Sequence, residues 1–133
     1  MRVLMYVVGW MALGLLVATM GCATRGEAGM QERFDALYAQ WQTHVKSPKV
    51  QMSSNPRAYT DCQPFKDMAA LGKPALPLLI AKIREGDSSG WKESQFFLWR
   101  AVLEISGTDL SDPRTPGEQE TARRYIRWWG ERK

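Results

Sequence analysis

The sequence has little of what metal, redox and disulfide chemistry require: its 133 residues include two cysteines and one histidine. Cys22 and Cys62 cannot supply a disulfide framework, and His44 alone cannot assemble a tetrahedral zinc site or a c-type haem attachment. No Gly-x-Ser-x-Gly nucleophile elbow occurs, and a serine such as Ser94 has only the distant His44 as a base. The glycine-containing stretch GDSSG, residues 86–90, lacks the Lys-Ser/Thr ending of a phosphate-binding loop. Excess charge of one sign is also small. Eighteen Lys and Arg against fourteen Asp and Glu give a formal +4, far below what a nucleic-acid-binding domain carries. Metal, cofactor and nucleic acid therefore drop out as expected partners, and no catalytic constellation stands out.

One long charge-free run is present. Residues 3–20 follow Arg2 and lead into Gly21-Cys22, which supplies the positive start, apolar stretch and small residue of an export signal. The segment Thr19-Met20-Gly21-Cys22 resembles a bacterial lipobox: Gly21 and Cys22 match it, and Thr19 and Met20 depart from it. The resemblance implies cleavage before Cys22 and lipidation of its thiol, which holds a protein at a membrane because each buried methylene contributes about 0.8 kcal/mol. Two other fates fit the same residues. A signal peptidase could cut after Ala23 and discard Cys22, or the segment could stay as a short anchor across the bilayer. All three predict that residues 23–133 lie outside the cytoplasm, and the lipobox resemblance implies a membrane-anchored lipoprotein of a bacterial cell envelope.

Setting residues 1–21 aside leaves 112 residues and, without Arg2, a balance of 17 minus 14, or +3. That is one domain, which must stand on its core. Residues 22–30 read as the lipidated cysteine and a small, polar tether, and residues 31–133 as the domain. Phe34, Leu37, Tyr38, Trp41 and Val45 form an apolar stripe on a helix from about Gln31 to Lys46, stopped by Pro48. Residues 47–61 have two prolines and no period, and read as a loop. A short helix then carries Phe65, Met68 and Leu71, with Asp61 or Thr60 as its cap and Gly72 as its end. Pro74 opens the next, which carries Leu76, Leu79, Ile80 and Ile83 as far as Gly86.

A fourth helix is predicted over Trp91–Ser106, apolar on most of its circumference and hence central. After an irregular stretch, Thr115-Pro116-Gly117-Glu118 has the form of a capping box for a last helix. That helix presents Ala122, Tyr125, Ile126 and Trp129 on one side and Arg123, Arg124 and Arg127 on the other. The short apolar run Leu76–Ile80 is too proline-flanked and too helically spaced for a strand. The fold class is therefore all-α, a compact bundle of about five helices.

Three segments carry a further resemblance: Leu71-Gly72-Lys73-Pro74-Ala75-Leu76-Pro77-Leu78-Leu79, Lys82-Ile83-Arg84-Glu85-Gly86-Asp87 and Arg100-Ala101-Val102-Leu103-Glu104-Ile105-Ser106-Gly107. They look like a HEAT-type helical repeat over about residues 65–107, and the exported part as a whole, with Trp128-Trp129 near its end, resembles small bacterial proteins that carry a terminal Trp-Trp and a HEAT-type domain. The resemblance implies one HEAT-like hairpin within a closed bundle, and a scaffolding or protein-interaction role. A solenoid with a concave surface needs about three repeats, more than this length holds.

Candidate functional residues follow. Five basic residues, Arg123, Arg124, Arg127, Arg132 and Lys133, fall within the last 11 positions, beside Trp128 and Trp129. Arg and Trp are favoured at protein interfaces and at membrane head-groups, so Arg123, Arg124, Arg127, Trp128 and Arg132 form the candidate interaction surface. The bland reading of the tryptophans places Trp129 in the core and Trp128 against arginine stems. The leading expectation is a non-catalytic interaction module with a protein partner, and the alternative is binding of an anionic membrane or cell-wall surface by the same helix. A third reading, an envelope hydrolase using the loop acids Asp109 and Asp112, competes with their use as local caps. Cys62 is expected to be a small, partly buried apolar residue, and His44 a surface or cap residue.

Overall fold

The computed structural model describes residues 25–132. Among them are six α-helices and three short 3-10 segments, with no strand: α1 Arg25–Val45, α2 Pro48–Gln51, α3 Gln63–Ala70, α4 Leu76–Ser89, α5 Trp99–Ser106 and α6 Glu118–Glu131. The protein is an all-α bundle. Residues 1–21, where the export signal is expected, and Cys22 lie outside the described residues, and no described helix is long and apolar enough to cross a membrane.

Helix α1 behaves as its stripe predicts. Phe34, Tyr38, Trp41 and Val45 are buried, and Leu37 packs at the edge of the core. The helix starts earlier than expected, so residues 25–30 of the anticipated tether are helical. Arg, Glu and Ala are good helix formers, and they outweigh Gly26 and Gly29 there. α1 lies against α3, where Trp41 meets Phe65 with ring centroids 6.1 Å apart.

Helix α3 buries Phe65 and Met68, as expected, but neither Thr60 nor Asp61 caps it. Cys62 occupies the cap position without a side-chain bond, and Asp61 pairs instead with Lys66 at 3.4 Å in solvent. Gly72, at φ +78°, turns the chain out of α3 as its lack of a Cβ allows. α4 then buries Leu76, Leu79, Ile80 and Ile83. Of the segments that carry the HEAT resemblance, α4 and α5 pack on each other, whereas α3 lies against α1 and α5.

The fourth predicted helix is divided. Its first residues, Trp91–Ser94, form a turn, Gln95–Leu98 a 3-10 segment, and only Trp99–Ser106 an α-helix. Two residues other than glycine adopt positive φ here, Trp91 at 62° and Ser94 at 58°. α4 runs past Gly86 to Ser89, Gly90 takes the left-handed conformation, and the Trp91 amide donates to the Gly86 carbonyl at 2.7 Å. The turn is held from outside: Tyr38 donates its hydroxyl proton to Glu93 at 2.7 Å, and Gln42 Nε2 donates to the Glu93 carbonyl at 2.9 Å. The expected central position is retained by α5, which touches α3, α4 and α6 and has Ala101 and Val102 fully buried.

The capping box before α6 does not form. Gly117 is the residue at the cap, and Glu118 is the first residue of the helix rather than its third. Glu118 reaches across to α5, accepting from Trp99 Nε1 and from Arg100 Nη2, each at 2.5 Å. A carboxylate at this end of a helix is favourable in itself, because free amide donors gather there. Tyr125, fully buried, closes the preceding loop. Its hydroxyl donates to the Thr108 carbonyl at 2.6 Å and accepts from the Leu110 amide at 3.2 Å.

Candidate functional site

The candidate surface on α6 resolves into two stripes, as helical geometry requires. Residues three and four apart line up, so Glu120, Arg123 and Arg127 form one row, and Arg124, Trp128 and Arg132 the other. In the first row Arg123 Nε lies 3.0 Å from Asp87 of α4, Arg123 Nη1 3.7 Å from Glu120, and Arg127 Nη2 3.4 Å from the same Glu120. The Arg123 guanidinium also sits 5.8 Å from the Trp91 ring. In the second row Arg124 donates to the Leu110 carbonyl at 3.3 Å, to the Thr115 carbonyl at 3.3 Å, and to the Thr115 hydroxyl. Two of the predicted basic residues, Arg123 and Arg124, are therefore engaged in holding α4 and the 108–117 loop to α6, and Arg127 pairs within α6 itself.

The end of α6 is different. The Trp128 and Tyr125 rings stand nearly perpendicular, at 83°, with centroids 5.9 Å apart, and the Arg132 guanidinium lies 4.7 Å from the Trp128 ring and 5.6 Å from the Trp129 ring. Both tryptophans are half-buried. Trp129 is therefore not the core residue expected; it shares the edge position with Trp128, because Ala122 and Tyr125 occupy the buried face. Trp128, Trp129 and Arg132 make a small aromatic and cationic tip.

The loop acids do local work. Asp109 Oδ1 accepts from the Ser111 amide at 2.9 Å and the Ser111 hydroxyl at 2.6 Å, and Asp112 Oδ1 accepts from the Arg114 amide at 2.9 Å. Hydrogen bonds from Ser111 hold the Asp109 carboxyl below its usual range. A carboxyl that gives up its proton so readily is a poor general acid, and both residues serve as turn caps. Cys62 is half-buried against the core, and burial pushes its thiol pKa up, which leaves it unreactive.

A cleft of about 510 Å³ opens elsewhere, between the end of α1 and residues 47–61, a stretch expected to be a plain loop but containing the short helix α2 and a 3-10 turn over Pro56–Tyr59, each opened by one of its two prolines. Its rim includes His44, Lys49, Ser53, Asn55, Arg57 and Asp61. The loop that frames it is pinned. Trp41 Nε1 donates to the Tyr59 carbonyl at 2.7 Å, His44 Nε2 lies 2.7 Å from the Ala58 carbonyl, and Gln51 Nε2 donates to the Val45 carbonyl at 2.6 Å. Because a carbonyl only accepts, the His44 contact places a proton on Nε2. Val50 is buried, Asn55 caps the turn Pro56–Tyr59 by accepting from the Arg57 amide, and Tyr59 stacks on Phe97 at 4.3 Å. Sequence reasoning passed over this region as a connection, and His44 as a surface or cap residue. The available signal was length, since irregular stretches of about 15 residues inside a small domain are commonly functional.

No protein-family model, curated protein or solved structure matches the chain. Among the described residues no group of three or more His, Cys, Asp or Glu side chains is placed to hold a metal ion.

Proposed function

We propose that the chain is a lipid-anchored protein of a bacterial cell envelope whose all-α domain acts as a non-catalytic module that binds a protein partner. The observation that carries the anchoring is the charge-free run over residues 3–20 ending at Gly21-Cys22, in which Cys22 is the thiol that would receive lipid. The tip of α6 supports the partner. Trp128 and Trp129 keep part of their rings in solvent, with Arg132 stacked over them, and Trp and Arg supply much of the binding energy at protein interfaces. The same helix is less suited to an anionic surface, because Arg123 and Arg127 face Glu120 and Asp87.

Two measurements test the reading separately. Labelling cells with a fatty-acid analogue should mark the wild-type protein and leave Cys22→Ala unmarked; equal labelling of both would refute lipidation at that residue. In-cell crosslinking should capture a defined protein that is lost in Trp128→Ala combined with Arg132→Glu, provided the variant keeps its thermal midpoint. An unchanged set of crosslinks would remove the α6 tip as the interface.

A further inference from the structure

We infer that the cleft between α1 and the 47–61 loop is a binding site for a phosphate-type anion, with Lys49 and Arg57 as its charged ligands.

Charge is the first support. Residues 47–60 contain two cations and no acid. Neither Lys49 nor Arg57 takes part in an ion pair among the described residues, whereas Arg100, Arg114, Arg123 and Arg127 all do. The acid on the rim, Asp61, has Lys66 at 3.4 Å. The cleft therefore carries a local positive charge that the fold itself leaves uncompensated, and a concave wall concentrates such a field.

Neutral donors are the second. Ser53 Oγ accepts from the Asn55 amide, and Asn55 Oδ1 accepts from the Arg57 amide. Each side chain accepts through its oxygen, which leaves the Ser53 hydroxyl proton and the Asn55 Nδ2 protons to donate. Two cations and two neutral donors on one rim suit an oxyanion with several acceptor oxygens, because hydrogen bonds between ionised partners are the strong ones. A guanidinium further favours phosphate through its fork of parallel N–H groups.

Rigidity is the third. A loop with two prolines and three serines would lose much entropy on closing around a ligand. This one is already fixed to α1 through Trp41, His44 and Gln51 and anchored by buried Val50, so the rim is formed in advance. Met52, the one large apolar side chain described as strongly exposed, at 87 %, projects from the same loop. A lipid head-group and a soluble phosphate present the same anion; an apolar residue beside the site is compatible with either.

The test uses the full chain, ¹⁵N-labelled and held in neutral detergent micelles, titrated with inorganic phosphate at constant ionic strength. Saturable shifts are expected for the amides of Ser53 to Ala58, and Lys49→Ala with Arg57→Ala should weaken them by about tenfold or more, since each 1.4 kcal/mol lost is a factor of ten. Both side chains are exposed, so the variant should keep its thermal midpoint and spectral dispersion. A second arm replaces phosphate by phosphatidylglycerol doped into the micelles. Shifts at the same amides would identify a lipid head-group as a source, and shifts with phosphate alone a soluble anion. Shifts that do not saturate, that appear on α6 instead, or that persist unchanged in the double variant would overturn the inference. The shifts read at Ser53 to Ala58 depend neither on lipidation of Cys22 nor on a partner at the α6 tip, so failure here and failure of the proposed function are distinguishable.

Discussion

Gly86→Ala sets two physical effects against each other, and the structure decides the sign. Gly86 lies inside α4, where replacing glycine by alanine ordinarily stabilises a helix by about 1 kcal/mol. A Cβ at this position, however, would lie 2.6 Å from Trp91 Cε3, 2.8 Å from Gln95 Oε1 and 2.9 Å from Gln95 Cβ. These neighbours have little freedom to retreat. Trp91 is buried and its amide is bonded to the Gly86 carbonyl at 2.7 Å, and Gln95, 3 % exposed, accepts from the Glu93 amide. Overpacking of this kind costs about 1–3 kcal/mol, and three contacts this short place the substitution at the upper end. The net expectation is a loss of about 2 kcal/mol, or a fall in midpoint of about 8 °C for a domain of this length. Thermal denaturation followed by circular dichroism measures it. Gly29→Ala is the control, because a Cβ there meets nothing within 4 Å, and it should stabilise by up to about 1 kcal/mol. A midpoint for Gly86→Ala at or above the wild-type value would refute the packing of the 91–94 turn against α4.

Four other variants probe the polar ties within and between the elements. Glu118→Gln removes the charge that Arg100 faces at 2.5 Å in a half-buried setting, and should cost about 1–3 kcal/mol in urea unfolding; Arg127→Ala, an exposed pair, should stay within about 0.5 kcal/mol, and equal costs would contradict the assignment. Tyr125→Phe leaves the Thr108 carbonyl and the Leu110 amide without their shared partner, for an expected loss of about 1–3 kcal/mol, and the amides of 108–117 should then exchange faster with solvent than in wild type. Burial first, and then the Glu93 carboxylate, push the Tyr38 hydroxyl pKa up. A folded pKa above the unfolded value means that this stability is complete below about pH 10 and is lost as pH rises through the folded value. Tyr38→Phe should therefore start lower at neutral pH yet fall less steeply above about pH 10, and alkaline stability curves that run parallel would sink the argument.

Much of the bundle was legible because helix burial follows a period. Phe34, Tyr38, Trp41 and Val45 recur at the spacing that places them on one face, and all four are buried. Trp91–Ser106 was misread for a related reason. Its apolar content states that the segment is inside, but not which φ it adopts. The turn at Trp91–Ser94 depends on a bare Gly86 surface and on Tyr38 and Gln42, 55 and 51 residues from Glu93, and no local pattern announces those contacts. The capping box failed similarly. Thr115 and Glu118 have the right spacing, yet Glu118 gains more from Trp99 and Arg100, and Arg124 takes the Thr115 oxygens.

The distribution of basic residues shows why density along the sequence is a poor guide to where positive potential lies. α6 looks cationic when its arginines are counted, but Glu120 stands three residues before Arg123 and seven before Arg127, which is the same helical face, and Asp87 meets Arg123 from α4. A regular helix brings acids and bases of one row together and largely neutralises them. Residues 47–61, whose one α-helix, α2, is only four residues long, have no such row. Lys49 and Arg57 come from a stretch without an acid for 14 residues, 47–60, and the bonds from Trp41, His44 and Gln51 then hold that stretch open over a cleft. Fewer cations, left unpaired and held on a rigid concave rim, give the stronger local field. On the inferred anion site, a phosphate meeting this protein should therefore be drawn to residues 47–61, and the proposed contact at the tip of α6 would rest on its two half-buried tryptophans rather than on net charge.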